Sequence, residues 1–156
     1  MVERTRASGI TRRTVLIAAL AGGAGSVSPA LASPPNGGDD AIELIKQLTG
    51  KTPTESDRIH LVMPRVFPNG YTVPLTLSID SPMTEADHVQ TVQVVAPRNP
   101  LIIVAAFHFF PQKSEPRVST RIRLAEPQYV LAFAAMNNGT ILFTRTWVEV
   151  ATNGCA

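Results

Sequence analysis

From residue 59 to residue 150 the chain is a series of apolar segments with the two-residue period of β-strands, and no helical pattern interrupts it. In the clearest segment Val73, Leu75, Leu77 and Ile79 alternate with Thr, Pro and Ser. Seven strands are predicted, over residues 59–66, 71–79, 89–96, 101–109, 117–124, 128–136 and 140–150. Short connections without helices between them predict an antiparallel β-sandwich of the immunoglobulin-like kind, without the Cys and Trp landmarks of antibody domains.

Two sequences between the strands predict tight turns. Pro68-Asn69-Gly70 leads into the second strand, and Asn137-Asn138-Gly139 joins the last two as a hairpin, because Asn and Gly accept the positive φ angles of such turns. Pro74 has no N–H to donate, so we expect its strand to lie at a sheet edge or to contain a bulge. An exposed edge needs a covering element or a partner.

One helix is predicted ahead of the strands. Asp39 or Asp40 can cap it, and Glu43 stands three residues after Asp40 in the spacing of a capping box. Its apolar face is expected to contain Ile42, Leu44, Ile45 and Leu48, and Gly50 is expected to end it. The predicted organisation is a helix plus β-sandwich over residues 39–151, preceded by a linker at 33–38 and followed by an arm at 152–156.

The N-terminus has the pattern of a twin-arginine export signal. Arg12-Arg13 precedes an apolar run through Leu20 that is too short to span a bilayer, which takes about 20 residues. Pro29-Ala30-Leu31-Ala32-Ser33 has the small residues that a signal peptidase reads, so we expect cleavage after Ala32. Residues 1–32 are therefore predicted to be a signal peptide, and the destination a bacterial periplasm, with no membrane insertion after cleavage.

Loss of this segment changes the charge of the chain. Residues 1–32 carry four arginines and one glutamate, so their removal lowers the formal net charge from +2 to −1. The basic isoelectric point of the precursor therefore does not indicate a nucleic-acid or membrane-surface ligand. The remaining residues are enough for one domain with a modest core, and this domain has no structural disulfide to stabilise it.

The chain has one cysteine, Cys155, in the sequence Thr152-Asn153-Gly154-Cys155-Ala156. Asn153 and Gly154 resist regular structure, so we expect a mobile C-terminal tail that holds the thiol in water. A thiolate is the nucleophilic and redox-active form of cysteine, and an exposed one can be offered to several partners in turn. A carboxylate on Ala156 is expected to oppose formation of a second negative charge on the sulfur.

The other polar residues do not form a recognisable catalytic or metal-binding motif. His60, His88 and His108 fall on different segments without the spacing of metal ligands, and His108 is expected to point outward from a half-buried strand. A blue-copper site needs histidines close to the cysteine, which this sequence does not provide. Asp80, Glu85 and Asp87, with Ser81 and Thr84, are expected to form turns and caps. Neither a metal nor a cofactor is predicted.

Several longer segments resemble the central blocks of the SoxY family, the sulfur carriers of the Sox thiosulfate-oxidation system. They are Pro68-Asn69-Gly70-Tyr71-Thr72-Val73-Pro74-Leu75, Asp80-Ser81-Pro82-Met83-Thr84-Glu85-Ala86-Asp87-His88-Val89, Val95-Ala96-Pro97-Arg98-Asn99-Pro100 and Val118-Ser119-Thr120-Arg121-Ile122-Arg123-Leu124-Ala125. In that family the carrier cysteine lies in a Gly-Gly-Cys-Gly-Gly tail, and Cys155 occupies its position. Asn153 and Ala156 replace the neighbouring glycines, and the sequence ends before the last glycine.

The resemblance implies a carrier that is not an enzyme and that keeps sulfur covalently attached to Cys155, with Asn153, Gly154 and Ala156 as its arm. It implies a heterodimer with a SoxZ-like subunit. A haem conjugating enzyme attaches thiosulfate, a hydrolase releases sulfate, and in some organisms a sulfane dehydrogenase oxidises the remaining sulfur.

Three hypotheses follow for the function. The first is the sulfur carrier. The second is a structural or regulatory homologue that pairs with its partner but carries sulfur poorly because of the altered tail. The third is an independent enzyme or copper protein. Covalent sulfur on Cys155 in the cell separates the first two, and bound metal or turnover by the isolated chain is required by the third.

Overall fold

The computed structural model describes residues 38–151. The predicted signal peptide at 1–32, residues 33–37 of the predicted linker and the predicted arm at 152–156 lie outside this range. The domain boundaries therefore stay predictions, although the helix already begins at Gly38, the last residue assigned to the linker.

The described part contains one helix and nine strands. They are α1 Gly38–Thr49, β1 Thr54–Glu55, β2 Ile59–Val62, β3 Val66–Phe67, β4 Val73–Ile79, β5 Val89–Val95, β6 Ile103–His108, β7 Arg117–Ile122, β8 Gln128–Met136 and β9 Ile141–Val150.

The strands form two sheets that face each other. The large sheet has the order β1-β9-β8-β5-β6, with β3 also beside β9, and the small sheet has the order β2-β4-β7. The prediction of a mostly β immunoglobulin-like sandwich is confirmed. The pairing is antiparallel except at β1 and β3, which run parallel to β9 and were not predicted as separate strands.

The interior of the sandwich is built by the alternation that the sequence shows. Val73, Leu75, Leu77 and Ile79 of β4 all point inward and are almost fully buried. They meet a set of inward residues from the large sheet: Val92, Val94, Val130, Ala132, Ala134, Val148 and Val150. Each fully buried Val or Leu side chain stabilises the fold by roughly 1.5–3 kcal/mol relative to exposure.

The helix covers the outer face of the large sheet, so the fold has three layers. Ile45 is fully buried there against Leu131, Phe133 and Phe143. Both faces of β8 are therefore buried, which explains its nearly continuous apolar sequence. Of the predicted helical face, Ile42 and Leu44 are half-buried and Leu48 is exposed. No helix of residues 38–151 is long and apolar enough to cross a membrane.

The predicted helix cap is wrong, because α1 begins at Gly38 and places Asp39 and Asp40 inside the first turn. Their negative charges still interact favourably with the positive, N-terminal end of the helix dipole. Glu43 does not reach back to the N-terminus; it lies 3.9 Å from Lys46 Nζ and accepts a hydrogen bond from Gln47. Gly50 ends the helix as predicted, with φ of 71° and its N–H donating to the Lys46 carbonyl.

Other corrections concern strand bounds. The segment predicted as one strand at 59–66 is divided into β2 and β3 around Pro64, and the strands predicted to begin at 71 and 101 begin at Val73 and Ile103. Pro74 lies in the middle strand of the small sheet, against the prediction of an edge strand. It is tolerated there because β2 ends at the level of Thr76, so that only β7 lies beside Pro74.

Candidate functional site

Cys155, Asn153, Gly154 and Ala156 lie outside the described residues, but the structure shows where the segment that carries them begins. β9 ends at Val150, which is 3% exposed and pairs with Phe67 of β3. The Glu149 N–H donates to the Arg65 carbonyl at 2.8 Å, and the Ala151 N–H donates to the Phe67 carbonyl at 3.4 Å. The backbone is therefore held in place up to Ala151, four residues before the cysteine.

A close backbone contact fixes this end of β9 against the small sheet. The Leu124 N–H donates to the Gly70 carbonyl at 2.7 Å. A Cβ on residue 70 would overlap the Leu124 carbonyl oxygen and lie 3.7 Å from Val150 Cγ2. Only glycine fits between these two groups. Gly70 of the predicted Pro68-Asn69-Gly70 turn is therefore required for close packing.

A buried hydrogen-bond network joins two loops at the same end. Gln128 is 1% exposed; its Oε1 accepts from the Arg98 N–H at 2.9 Å and its Nε2 donates to Asn99 Oδ1 at 3.1 Å. Asn99 Nδ2 donates to the Arg123 carbonyl, and its Oδ1 also accepts from the Ala125 N–H. The network ties the β5–β6 loop to the β7–β8 loop.

Charged side chains surround this end without forming a catalytic cluster. Arg98 Nη1 lies 3.5 Å from Glu126 Oε1, and both side chains are about half exposed. Such a pair contributes less than about 1 kcal/mol, because water screens it. The Arg123 guanidinium lies 5.0 Å from the centre of the Tyr71 ring, a cation–π contact that orients the arginine along the surface.

Two cavities flank the β5–β6 loop. The first, of about 240 Å³, lies beneath α1 and includes Leu44, Arg98, Tyr129 and Trp147 in its wall. The second, of about 490 Å³, lies on the β6 side and is lined by Asn99, Pro100, Leu101, Ile103, Val104, Arg123 and Ala125. Both cavities are lined mainly by apolar residues; the first has Asp40 and Arg98 in its wall, whereas Arg123 is the charged residue in the wall of the second.

Chain geometry limits how far Cys155 can lie from this end of the sandwich. Four residues separate it from Ala151, and an extended chain spans at most about 3.6 Å per residue, so the two Cα atoms are within roughly 14 Å of each other.

The three histidines lie at separate positions. His60 Nε2 lies 2.9 Å from Asp80 Oδ2, His88 Nδ1 lies 2.9 Å from the Thr84 carbonyl, and His108 Nδ1 lies 3.2 Å from Thr91 Oγ1. The prediction that His108 is exposed on its strand is confirmed. Among residues 38–151 there is no group of three or more His, Cys, Asp or Glu side chains that could hold a metal ion.

The acidic segment forms turns, as predicted, and also takes part in ion pairs, which were not predicted. Thr84 Oγ1 accepts from the Asp87 N–H, the Thr84 N–H donates to the Asp87 carbonyl, and Ser81 Oγ accepts from the Met83 N–H. Asp87 lies 3.6 Å from Arg58. This segment lies at the end of the sandwich opposite to Ala151, because it connects the end of β4 to the start of β5.

The buried network was missed by sequence reasoning. Arg98 and Asn99 lie in one of the segments with the family resemblance, whereas Gln128 is 29 residues beyond Asn99 and begins a strand that is otherwise nearly all apolar. A polar residue at the start of a strand buried on both faces is the one signal that could have indicated a buried hydrogen-bonding partner.

The sequence matches the profile of the sulfur oxidation protein SoxY over residues 45–155. The chain belongs to the SoxY family. The SoxY match runs through β9 and ends at Cys155, so it includes the cysteine. The resemblance drawn from the four sequence segments is thereby confirmed.

Solved structures agree with this assignment. The sulfur carrier protein SoxY from Chlorobium limicola f thiosulfatophilum is similar with a TM-score of 0.58 and 27% identity, over 72% of this chain and 94% of that chain. A superoxide reductase (neelaredoxin) from Ignicoccus hospitalis has a TM-score of 0.56 at 14% identity, over 64% of this chain and 95% of that one. Superoxide reductase from Nanoarchaeum equitans has a TM-score of 0.51 at 14% identity, over 62% and 98%.

The two superoxide reductases share the fold alone at this level of identity. A search of curated proteins found no match to the sequence. The SoxY family and the SoxY structure together support a sulfur carrier of the Sox system.

Proposed function

We propose that this SoxY-family protein holds thiosulfate-derived sulfur covalently on Cys155 and presents it to Sox enzymes in the periplasm. The observation that carries the proposal is the SoxY match over residues 45–155, a range that includes Cys155. The geometry supports it, since a strand anchored to Ala151 is followed by a short segment that contains the one thiol of the chain.

The chemistry follows from the thiolate. Loading joins the Cys155 sulfur to the outer sulfur of thiosulfate, and the two electrons released pass to a haem conjugating enzyme. A hydrolase then adds water to the terminal sulfone, releasing sulfate and leaving a persulfide on Cys155. A sulfane dehydrogenase can oxidise that remaining sulfur. The protein supplies the nucleophile and the surface for recognition, and the partners supply the redox chemistry.

Export and pairing complete the proposal. Residues 1–32 direct the chain through the twin-arginine pathway and are removed after Ala32. The exported chain pairs with a SoxZ-like subunit, and the other Sox proteins contact the resulting heterodimer transiently.

The test compares the wild type with Cys155→Ser, each bound to its SoxZ-like subunit and incubated with thiosulfate and the haem conjugating enzyme. Intact-mass spectrometry should show a thiosulfate adduct on the wild type and none on the variant. Serine keeps the size of the side chain and lies beyond the packed strands, so the free energy of unfolding should change by less than about 0.5 kcal/mol. An equal adduct on both proteins would exclude Cys155 as the attachment site.

A second candidate function is favoured by the tail itself. Asn153 and Ala156 stand where the family has glycine, and each Cβ widens the arm and restricts its backbone. In this alternative the protein pairs with its partner but carries sulfur poorly, in a structural or regulatory role. Asn153→Gly separates the two: an efficient carrier loads at the same rate with either residue, whereas in a poor carrier glycine accelerates loading severalfold.

A further inference from the structure

The two side edges of the large sheet differ. At the β9 side, β1 pairs with Leu142 and Phe143 and β3 pairs with Glu149 and Val150, so both ends of β9 are covered. At the other side, β6 pairs with β5 alone among the described residues. On one side of β6, therefore, the backbone N–H and C=O groups form no hydrogen bonds with another strand of residues 38–151.

The sequence of this edge lacks the charged residues and prolines that often prevent strand addition, and a single register shift, at Val104, interrupts its pairing with β5. Residues 101–110, Leu-Ile-Ile-Val-Ala-Ala-Phe-His-Phe-Phe, contain no Lys, Arg, Asp, Glu or Pro. Apolar side chains stand exposed at both ends of the segment, with Leu101 80% and Phe110 63% exposed. An apolar edge without charge is a site for pairing with another chain.

The neighbouring edge strand, β7, is strongly basic. Arg117, Arg121 and Arg123 occupy alternate positions at and just beyond it, on the side away from the buried Ile122. None of the three forms an ion pair within residues 38–151. The two edges approach each other at one end, where Ile103 and Val104 of β6 line the 490 Å³ cavity together with Arg123, the residue just beyond β7.

We propose that the β6 and β7 edges form the docking surface for the other subunit of the carrier complex, an inference that rests on the proposed function. A strand of that subunit adds to β6, an apolar side chain enters the cavity beside Leu101 and Ile103, and carboxylates of the subunit face the β7 arginines. The partner is thus a β-protein with an open, uncharged strand flanked by acidic residues.

The charge of β7 favours a different chain over a second copy. A second copy that paired through β6 would bring its own Arg117, Arg121 and Arg123 to the junction, and like charges there oppose association. An acidic partner neutralises them instead.

The docking surface adjoins the end of β9, after which the segment with Cys155 follows in the sequence. Arg123 and Ala125 of the cavity flank Leu124, whose carbonyl lies against Gly70 beside Val150. The partner therefore binds next to the start of the arm, where it can contact the sulfur group on Cys155 without a change in the sandwich.

The test measures affinity for the SoxZ-like subunit of the same organism, using protein purified from cells that express the whole chain. Arg117→Gln/Arg121→Gln should weaken binding about tenfold at low salt and reduce its salt dependence. Leu101→Lys/Ile103→Lys should weaken it further by placing charge on the edge. The control Lys46→Gln/Arg65→Gln removes the same charge away from these two edges and should leave affinity unchanged.

Hydrogen exchange gives a readout that needs no substitution, since the open-side amides of β6 should exchange more slowly when the subunit is bound. Binding that withstands both variant pairs, with unchanged β6 exchange, refutes the docking surface and leaves the carrier function intact. Failure of the wild type to bind the subunit at micromolar concentration refutes both the pairing and this surface. The carrier function is tested separately, by sulfur loading of Cys155. A dimer of the chain alone that the Leu101→Lys/Ile103→Lys variant dissociates would show that the edge takes a second copy.

Discussion

Replacement of Gln128 tests whether the buried hydrogen-bond network stabilises the end of the sandwich at which β9 ends. Gln128→Leu keeps the size of the side chain and removes three hydrogen bonds: from the Arg98 N–H, to Asn99 Oδ1 and to the Glu126 carbonyl. The Arg98 N–H loses its hydrogen-bond acceptor, while Asn99 Oδ1 still accepts from the Ala125 N–H.

The expected cost follows from these contacts. A net hydrogen bond stabilises a protein by about 0.5–1.5 kcal/mol, and a buried group left without a partner costs about 1–3 kcal/mol. Part of this is offset by the apolar leucine in a site where residue 128 is 1% exposed. We therefore expect a loss of about 2–4 kcal/mol in the free energy of unfolding, which corresponds to a decrease in Tm of roughly 10 °C for a domain of this size.

Thermal and denaturant unfolding followed by circular dichroism measures this loss. The matched control is Gln47→Leu on α1, where the same chemical change removes one exposed hydrogen bond to Glu43 and should cost less than about 0.5 kcal/mol. If Gln128→Leu behaves like Gln47→Leu, the network does not stabilise the domain and the reasoning from burial is refuted.

Three further outcomes are expected. Gly70→Ala should destabilise the protein by about 1–3 kcal/mol, because the new Cβ overlaps the Leu124 carbonyl; unfolding measurements that show no loss would contradict the close contact. Ile45→Ala should cost about 2–5 kcal/mol if α1 is packed on the large sheet as described, whereas exposed Leu48→Ala should cost much less. The protein purified from the periplasm should begin at Ser33 by N-terminal sequencing, and an intact N-terminus on membrane-bound protein would disprove the signal peptide.

Much of the fold is predictable because most of the longer strands have a clear apolar pattern. The alternation through Val73–Ile79 fixed which face is buried, and the Asn137-Asn138-Gly139 turn was predicted from the glycine, whose φ is 83°. β8 shows where the pattern is ambiguous: its nearly continuous apolar sequence predicts burial on both faces without indicating that α1 covers one of them.

The errors arise where long-range contacts decide local structure. β1 and β3 have two residues each and exist because β9 lies beside them, so no local pattern reveals them. Pro74 predicts an edge strand by itself, and only the short length of β2 allows it in a middle strand. At the candidate site the cysteine was evident from the sequence, whereas the Asn99–Gln128 network and the close approach of Gly70 to Leu124 depend on contacts between distant segments.

The most direct test of the central claim is the mass of the protein isolated, without reductant, from its own cells during growth on thiosulfate. The account predicts sulfur-containing adducts on the peptide that contains Cys155, and their disappearance when the protein is treated with a thiol reductant. Unmodified Cys155 in protein from cells that are actively oxidising thiosulfate would contradict the carrier function.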